Sequence, residues 1–124
     1  MATKTKKFKL GKLQKAWIKA LKSDKYKQTK DYLKNDGGYC CLGVCEMLEG
    51  KLTKDGYING TGNKSILSKS TAKKYGFNGT RGELRQSVLD CRFLTSLNDD
   101  EEWTFKEIAE YIENNPENVF TKSV

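Results

Sequence analysis

The stretch Gly37-Gly38-Tyr39-Cys40-Cys41-Leu42-Gly43-Val44-Cys45 constrains this chain more than any other, because it joins a turn signal to an apolar run holding three of the four cysteines. Tyr32 and Leu33 precede Asn-Asp-Gly-Gly and Tyr39-Cys40-Cys41 follow it, which predicts a hairpin over Asp31 to Cys41. Cys41, Val44, Cys45 and Leu48 then recur at i, i+3, i+4 and i+7, the spacing of one helical face, and Gly50 is the stop signal. Cysteines this close together are either buried structural residues or a reactive or metal-binding centre.

The flanking segments read as mixed helix and turn. Apolar residues at 10, 13, 17, 20 and 21 predict an amphipathic first helix with Trp17 mid-face and Lys12, Lys15, Lys19 and Lys22 on the other side. Tyr57 to Thr61 reads as a second turn or small hairpin. Ser68 or Ser70 caps a short helix running to Tyr75 and closed by Gly76. Residues 78–92 carry no readable pattern and are expected to be irregular. The last helix is the best signalled: Thr104 as N-cap, Glu107 completing a capping box, Trp103 stapled to Ile108, and Phe105, Ile108, Ala109 and Ile112 as the buried face before Asn115-Pro116 ends it.

With 124 residues and one proline, Pro116, the chain is expected to form a single small α+β domain over 9–124, preceded by a frayed basic tail at 1–8. No apolar run reaches membrane-span length and the lysine-rich start lacks the apolar stretch of a signal peptide, so the expected compartment is the cytoplasm, with reduced thiols. The net charge of +7 is unevenly placed. Residues 1–30 hold eleven lysines against Asp24, and residues 99–118 hold eight acids against Lys106. The basic end meets either an anionic partner or the acidic end of the chain itself. All three arginines, Arg81, Arg85 and Arg92, fall in one short window of a chain otherwise supplied with lysine. A guanidinium offers a planar bidentate fork that lysine lacks, so the window is a candidate phosphate clamp, with structural salt bridges as the competing account.

Histidine is absent, which removes Ser-His-Asp and Cys-His catalysis and histidine metal ligands. Cys41-x3-Cys45 with an adjacent Cys40 and a solitary Cys91 does not supply the paired spacing of a zinc site, and a buried, inert thiol is the expected state of Cys41. The run Asn98 to Glu102 lacks the alternating ligands of a calcium loop and is expected to be a solvated loop leading into the last helix. Residues 60–65 lack phosphate-loop spacing. The lysine face of the first helix suits nucleic acid, but no reader motif accompanies it. No catalytic residue, metal or cofactor is assigned.

Trp17 in a first helix, Tyr26-x-Gln28, the Tyr39-Cys40-Cys41-Leu42-Gly43-Val44 block, Leu97-Asn98-Asp99 and the Phe105 to Glu113 pattern Phe-x-x-Ile-Ala-x-x-Ile-Glu together resemble a family of small bacteriophage proteins of uncharacterised activity. The chain departs from that pattern in placing Cys45 directly after Val44 and in a lysine-rich, proline-poor middle. The resemblance implies a phage origin and no established activity. Small phage proteins without catalytic residues commonly act by binding, and one such class sequesters nucleotide signals of bacterial defence. The expected function is therefore a non-enzymatic accessory protein, a homo-oligomer that binds a small anionic nucleotide-like ligand. Its candidate residues are Arg81, Arg85 and Arg92 with Tyr39, Phe77 and Phe93 to stack on a base. The alternative is a binder of host protein or nucleic acid through the first helix, and the third reading is a cysteine-dependent enzyme.

Overall fold

In the computed structural model, residues 8–35, 37–58, 60 and 64–124 are described. Their elements run α1 (Lys12–Lys22), β1 (Lys34–Asn35), β2 (Gly38–Tyr39), α2 (Cys41–Leu48), α3 (Lys69–Lys74), β3 (Glu83–Val88), β4 (Cys91–Phe93), α4 (Leu94–Asp99), α5 (Phe105–Asn114) and a 3₁₀ turn at Pro116–Asn118. The architecture is α+β: a helical core flanked by two antiparallel hairpins, β1–β2 and β3–β4. None of these helices is long and apolar enough to cross a membrane.

Helix α2 lies at the centre, packed by α1 on one side and α4 on another. Its residues from Cys41 to Glu46 are all buried, so it has no single apolar face, and Leu48, expected inside, is 39% exposed at its far end. Gly43 is what lets the hairpin approach: a Cβ there would overlap the carbonyl of Leu33. Cys40 is the N-cap, its Sγ accepting the Gly43 N–H at 3.4 Å. Helix α1 is rotated from the expected face, with Gln14, Trp17, Ile18 and Leu21 innermost. The Trp17 indole meets Phe77 and Phe120 edge-on at 5.2 and 6.2 Å, and its Nε1–H donates to the Cys41 carbonyl at 2.9 Å. Burying an aromatic ring with its polar N–H satisfied makes Trp17 an anchor between α1 and α2.

The C-terminal segment closes the molecule. Phe120 bridges to Phe77, the Thr121 N–H donates to the Gly76 carbonyl at 2.6 Å, and the Val124 oxygen accepts the N–H groups of Leu13 and Gln14 at 3.1 and 3.2 Å. The fully buried Gln14 amide donates to the Tyr75 and Lys122 carbonyls, both at 2.8 Å. Orphan donors of the first helix are thus met from the far end of the chain.

Three expectations change. Residues 78–92 are not irregular but contain most of the β3–β4 hairpin, paired Glu83↔Phe93 and Val88↔Cys91. Its two-residue turn, Leu89-Asp90, has positive φ at both positions (51° and 66°), as a type I′ turn requires, but lacks the usual Asn-Gly. The run from Asn98 is not all solvated loop: Asn98 and Asp99 end α4, and Asn98 is 1% exposed. Phe8, assigned to the tail, stacks on Phe120 at 6.1 Å. The cap of α3 is Ser68, and an isolated antiparallel bridge Leu52↔Ile58 closes a reversal over 53–57, overlapping the start of the turn expected at 57–61. That turn and the 60–65 stretch fall in part on 59 and 61–63, outside the described residues, as do residues 1–7.

The capping box of α5 forms as expected, with Thr104 Oγ1 accepting from Glu107 N at 3.1 Å and Glu107 Oε1 accepting from Thr104 N at 2.8 Å. Thr104→Ala is expected to lower stability by about 0.5–2 kcal/mol, read as a reduced denaturation midpoint at unchanged slope. Leu89 is 60% exposed and held in the left-handed region, which costs a non-glycine residue about 1–2 kcal/mol. Leu89→Gly is therefore expected to raise the midpoint, and a lowered midpoint would show that Leu89 packs usefully.

Candidate functional site

Pieces of the sequence pattern converge on a knot of two amides, the buried Asn98 and the half-buried Gln28. Gln28 Nε2 donates to Asn98 Oδ1 at 2.8 Å and to the Trp103 carbonyl at 2.7 Å, while its Oε1 accepts the Phe105 N–H at 3.0 Å. Asn98 Oδ1 also accepts the Cys41 N–H at 3.3 Å, and its Nδ2 donates to the Thr29 carbonyl and to Asp99 Oδ1, both at 2.8 Å. A cleft of about 220 Å³ adjoins the knot beside Lys30, Glu102 and Trp103. No buried side-chain nitrogen or oxygen among the described residues lacks a partner, so the knot reads as a structural junction. The knot holds α2, α4 and α5 in register. Only the spacing Leu94, Leu97, Asn98 (i, i+3, i+4) marks Asn98 as inward-facing in the sequence.

The thiols are free, and all four are buried. Cys40 is 3% exposed, because the N-cap position turns it inward. Burial pushes the Cys40 thiol up to about 12 and raises Cys41 and Cys45 well above the ordinary range. Cys91, at 9% exposure, is raised by burial and by Glu101, Asp100 and Asp90 beside it. The thiolate is the reactive form, so none of these environments activates a nucleophile. No group of three or more Cys, Asp and Glu among the described residues is placed to hold a metal.

Sequence reasoning passed over Glu46, a carboxylate with no exposure. Its Oε1 accepts the Thr71 hydroxyl at 2.8 Å and its Oε2 the Ser68 N–H at 2.7 Å, while Lys51 donates to Thr71 Oγ1 at 3.1 Å. The carboxylate pins the start of α3 to α2, and its place within the Cys41–Leu48 run gave no sign of this because it sits on the side expected to face water.

The arginine window folds into one feature. Arg85 lies on β3 and Arg92 on β4, and both line a cleft of about 360 Å³ with Glu83, Leu84, Ser87 and Phe93. The Arg81 guanidinium lies over the Phe93 ring at 5.6 Å from its centroid. Arg85 Nη2 donates to the Phe120 carbonyl at 3.4 Å, near the limit for a hydrogen bond. None of the three makes an ion pair among the described residues, so the salt-bridge account of the window fails. Of the aromatic candidates only Phe93 is at this cleft. Tyr39 is on the other hairpin, edge-on to Tyr26 at 5.7 Å. Phe77 is 6% exposed and packed among Trp17, Tyr75 and Phe120, because it seals the C-terminal segment onto the core, so it has no free face for a base.

The charged ends meet each other. Lys22 pairs with Glu113 at 2.5 Å, Lys30 with Glu102 at 2.6 Å, and Lys106 with Asp24 at 3.3 Å. These pairs are exposed and contribute little stability, but they engage part of the lysine surface within the chain.

At pH 8 a thiol reagent is expected to modify Cys91 first, with Cys40, Cys41 and Cys45 reacting only on unfolding. Labelling should accelerate as pH rises toward the raised thiol range, since only the thiolate attacks. Mass spectrometry after timed labelling reads the order, and rapid native modification of Cys41 would contradict it.

No curated protein and no solved structure matches the chain. One family model does, over residues 10–91, from just before α1 to the first residue of β4. It takes in Tyr26, Gln28, the Cys-Cys-Leu-Gly-Val block, Arg81 and Arg85, but not Arg92, Asn98 or α5. The chain belongs to the family described as Domain of unknown function (DUF8296).

Proposed function

We propose that this chain is a non-enzymatic binding protein that takes a small anionic, nucleotide-like ligand at the β3–β4 hairpin. Arg81, Arg85 and Arg92 are its anion clamp and Phe93 its stacking surface. The observation that carries this reading is that Arg85 and Arg92 line one cleft, with Arg81 over the Phe93 ring at its wall, and that none of the three is ion-paired among the described residues, although Glu83 also lines the cleft. A lysine would serve equally well for a surface charge, whereas a planar fork suits a phosphate and a ring. The cleft is open and small for a whole nucleotide, so a second copy of the chain completing the site fits the reading. On this reading, which the resemblance to phage proteins supports, the chain is an accessory protein of the host cytoplasm that sequesters a nucleotide signal and so blunts host defence.

A second reading has its own observation. Lys12, Lys15 and Lys19 are exposed on α1 and stand outside the ion pairs that engage Lys22 and Lys30. They suit a host nucleic acid or an acidic protein surface.

Calorimetric titration with cyclic oligonucleotides and ADP-ribose derivatives, beside duplex and single-stranded DNA at two salt concentrations, separates the two. On the first reading Arg→Lys at 81, 85 or 92 weakens small-ligand binding by about 2–5 kcal/mol where the contact is desolvated, and α1 lysine changes have far less effect. Tight, salt-sensitive DNA binding with no response to small nucleotides would favour the second reading and exclude the first.

A further inference from the structure

A second basic cleft, which shares no lining residue with the first, is left unused by the arginine reading. It has a volume of about 360 Å³ and lies between α3 and the C-terminal segment. Lys69 and Lys73 come from α3 and Lys122 from the far end of the chain, and the floor is made by Ala72, Gly76, Phe77 and Gly79. Thr80 and Thr121 add hydroxyls at the wall. No carboxylate lines it, and none of its three lysines is ion-paired among the described residues. Glu83, whose carboxylate lies against Gly79, accepts the Arg81 N–H at 3.2 Å and lines the arginine cleft instead.

The arrangement is built rather than incidental. Lys69 and Lys73 are four apart and share one helix face. Lys122 is fixed opposite them because the Thr121 N–H and the Gln14 amide hold the backbone on both sides of it. Gly76 has φ of 75°, and a Cβ there would sit 2.7 Å from the Lys122 carbonyl, so the absence of a side chain at 76 is what lets Lys122 close over the floor. Three like charges drawn toward one concavity repel each other, and a polyanion placed among them converts that repulsion into attraction. Lysine ammoniums act as point charges without the bidentate geometry of arginine, which suits a flexible run of phosphates better than a single oriented one.

We infer that this cleft is a binding site for a small oligophosphate group, independent of the arginine hairpin. Lys69, Lys73 and Lys122 supply the charge, and the Thr80 hydroxyl supplies a neutral donor, that of Thr121 being given to the Gly76 carbonyl at 3.2 Å. The probe is inorganic tripolyphosphate, titrated calorimetrically and followed by amide chemical shifts. Lys73→Gln with Lys122→Gln removes two of the three charges at exposed side chains, and the Lys122 carbonyl that Gln14 uses is kept. Lys15→Gln with Lys19→Gln makes the same net-charge change on α1. The expected result is one tripolyphosphate per chain, shifts centred on Ala72, Gly76, Gly79 and Thr80, and at least about a tenfold loss for the first pair against under about twofold for the second. Equal losses in both pairs would mean non-specific charge attraction and overturn the site. Loss confined to Arg85→Lys and Arg92→Lys would move the phosphates to the hairpin, overturning this site while leaving the arginine reading intact. No binding would overturn it outright.

Discussion

The Asn98 carboxamide is the contact on which the remaining packing depends. A buried amide that lost a partner would carry the full desolvation cost of an unmet polar group, about 1–3 kcal/mol for each. Here both its oxygen and its nitrogen are used twice, tying the end of α4 to the start of α2 and, through Gln28, to the start of α5. Apolar packing alone tolerates small slips between helices. A directional polar junction in the middle of that packing does not, since a shift of one residue would strand several donors at once. Trp17 does the same on the opposite side of α2, where its indole N–H fixes the rotation of α1 against the Cys41 carbonyl.

Charge is distributed by a similar logic. Lysines at 22 and 30 are answered by acids from the other end of the chain, so part of the asymmetry is spent internally. The two basic concavities, one of arginines and one of lysines, are not answered in this way. Between their lining residues in sequence, Asn78 pins the chain by donating to the Glu83 and Val119 carbonyls. Positive charge outside the ion pairs therefore lies in these two concavities and on exposed lysines such as Lys12, Lys15 and Lys19 of α1.

How much could be read from residue order follows from what kind of interaction shaped each element. Helix α5 is local: a cap, a box and one apolar face, and all four buried positions fall where the spacing puts them. Helix α2 lies in the middle of the molecule and is buried almost all round, so a one-face pattern misassigned Leu48 and hid Glu46. The β3–β4 hairpin was invisible for two reasons. Its turn is Leu-Asp, without glycine or asparagine, and Gln86 interrupts the alternation between the partly buried Leu84 and Val88. The arginine cleft inherits that difficulty: the three residues were legible as a cluster by type, but which aromatic ring stood beside them depended on tertiary packing. Phe77 and Phe93 look alike in sequence, yet one seals the core and the other lies under Arg81.

The lacing of the C-terminal segment onto α1 has a consequence for how the chain is made. Gln14 finds its Lys122 partner 108 residues away, and the first turn of α1 is completed by Val124. Contacts this distant in sequence close late, because the loop between them must be ordered before they repay its entropy. The aromatic core around Trp17 and Phe77 therefore cannot shut until residue 120 has left the ribosome. Until then the nascent protein carries exposed aromatic surface, a state that favours holding by chaperones over independent early folding.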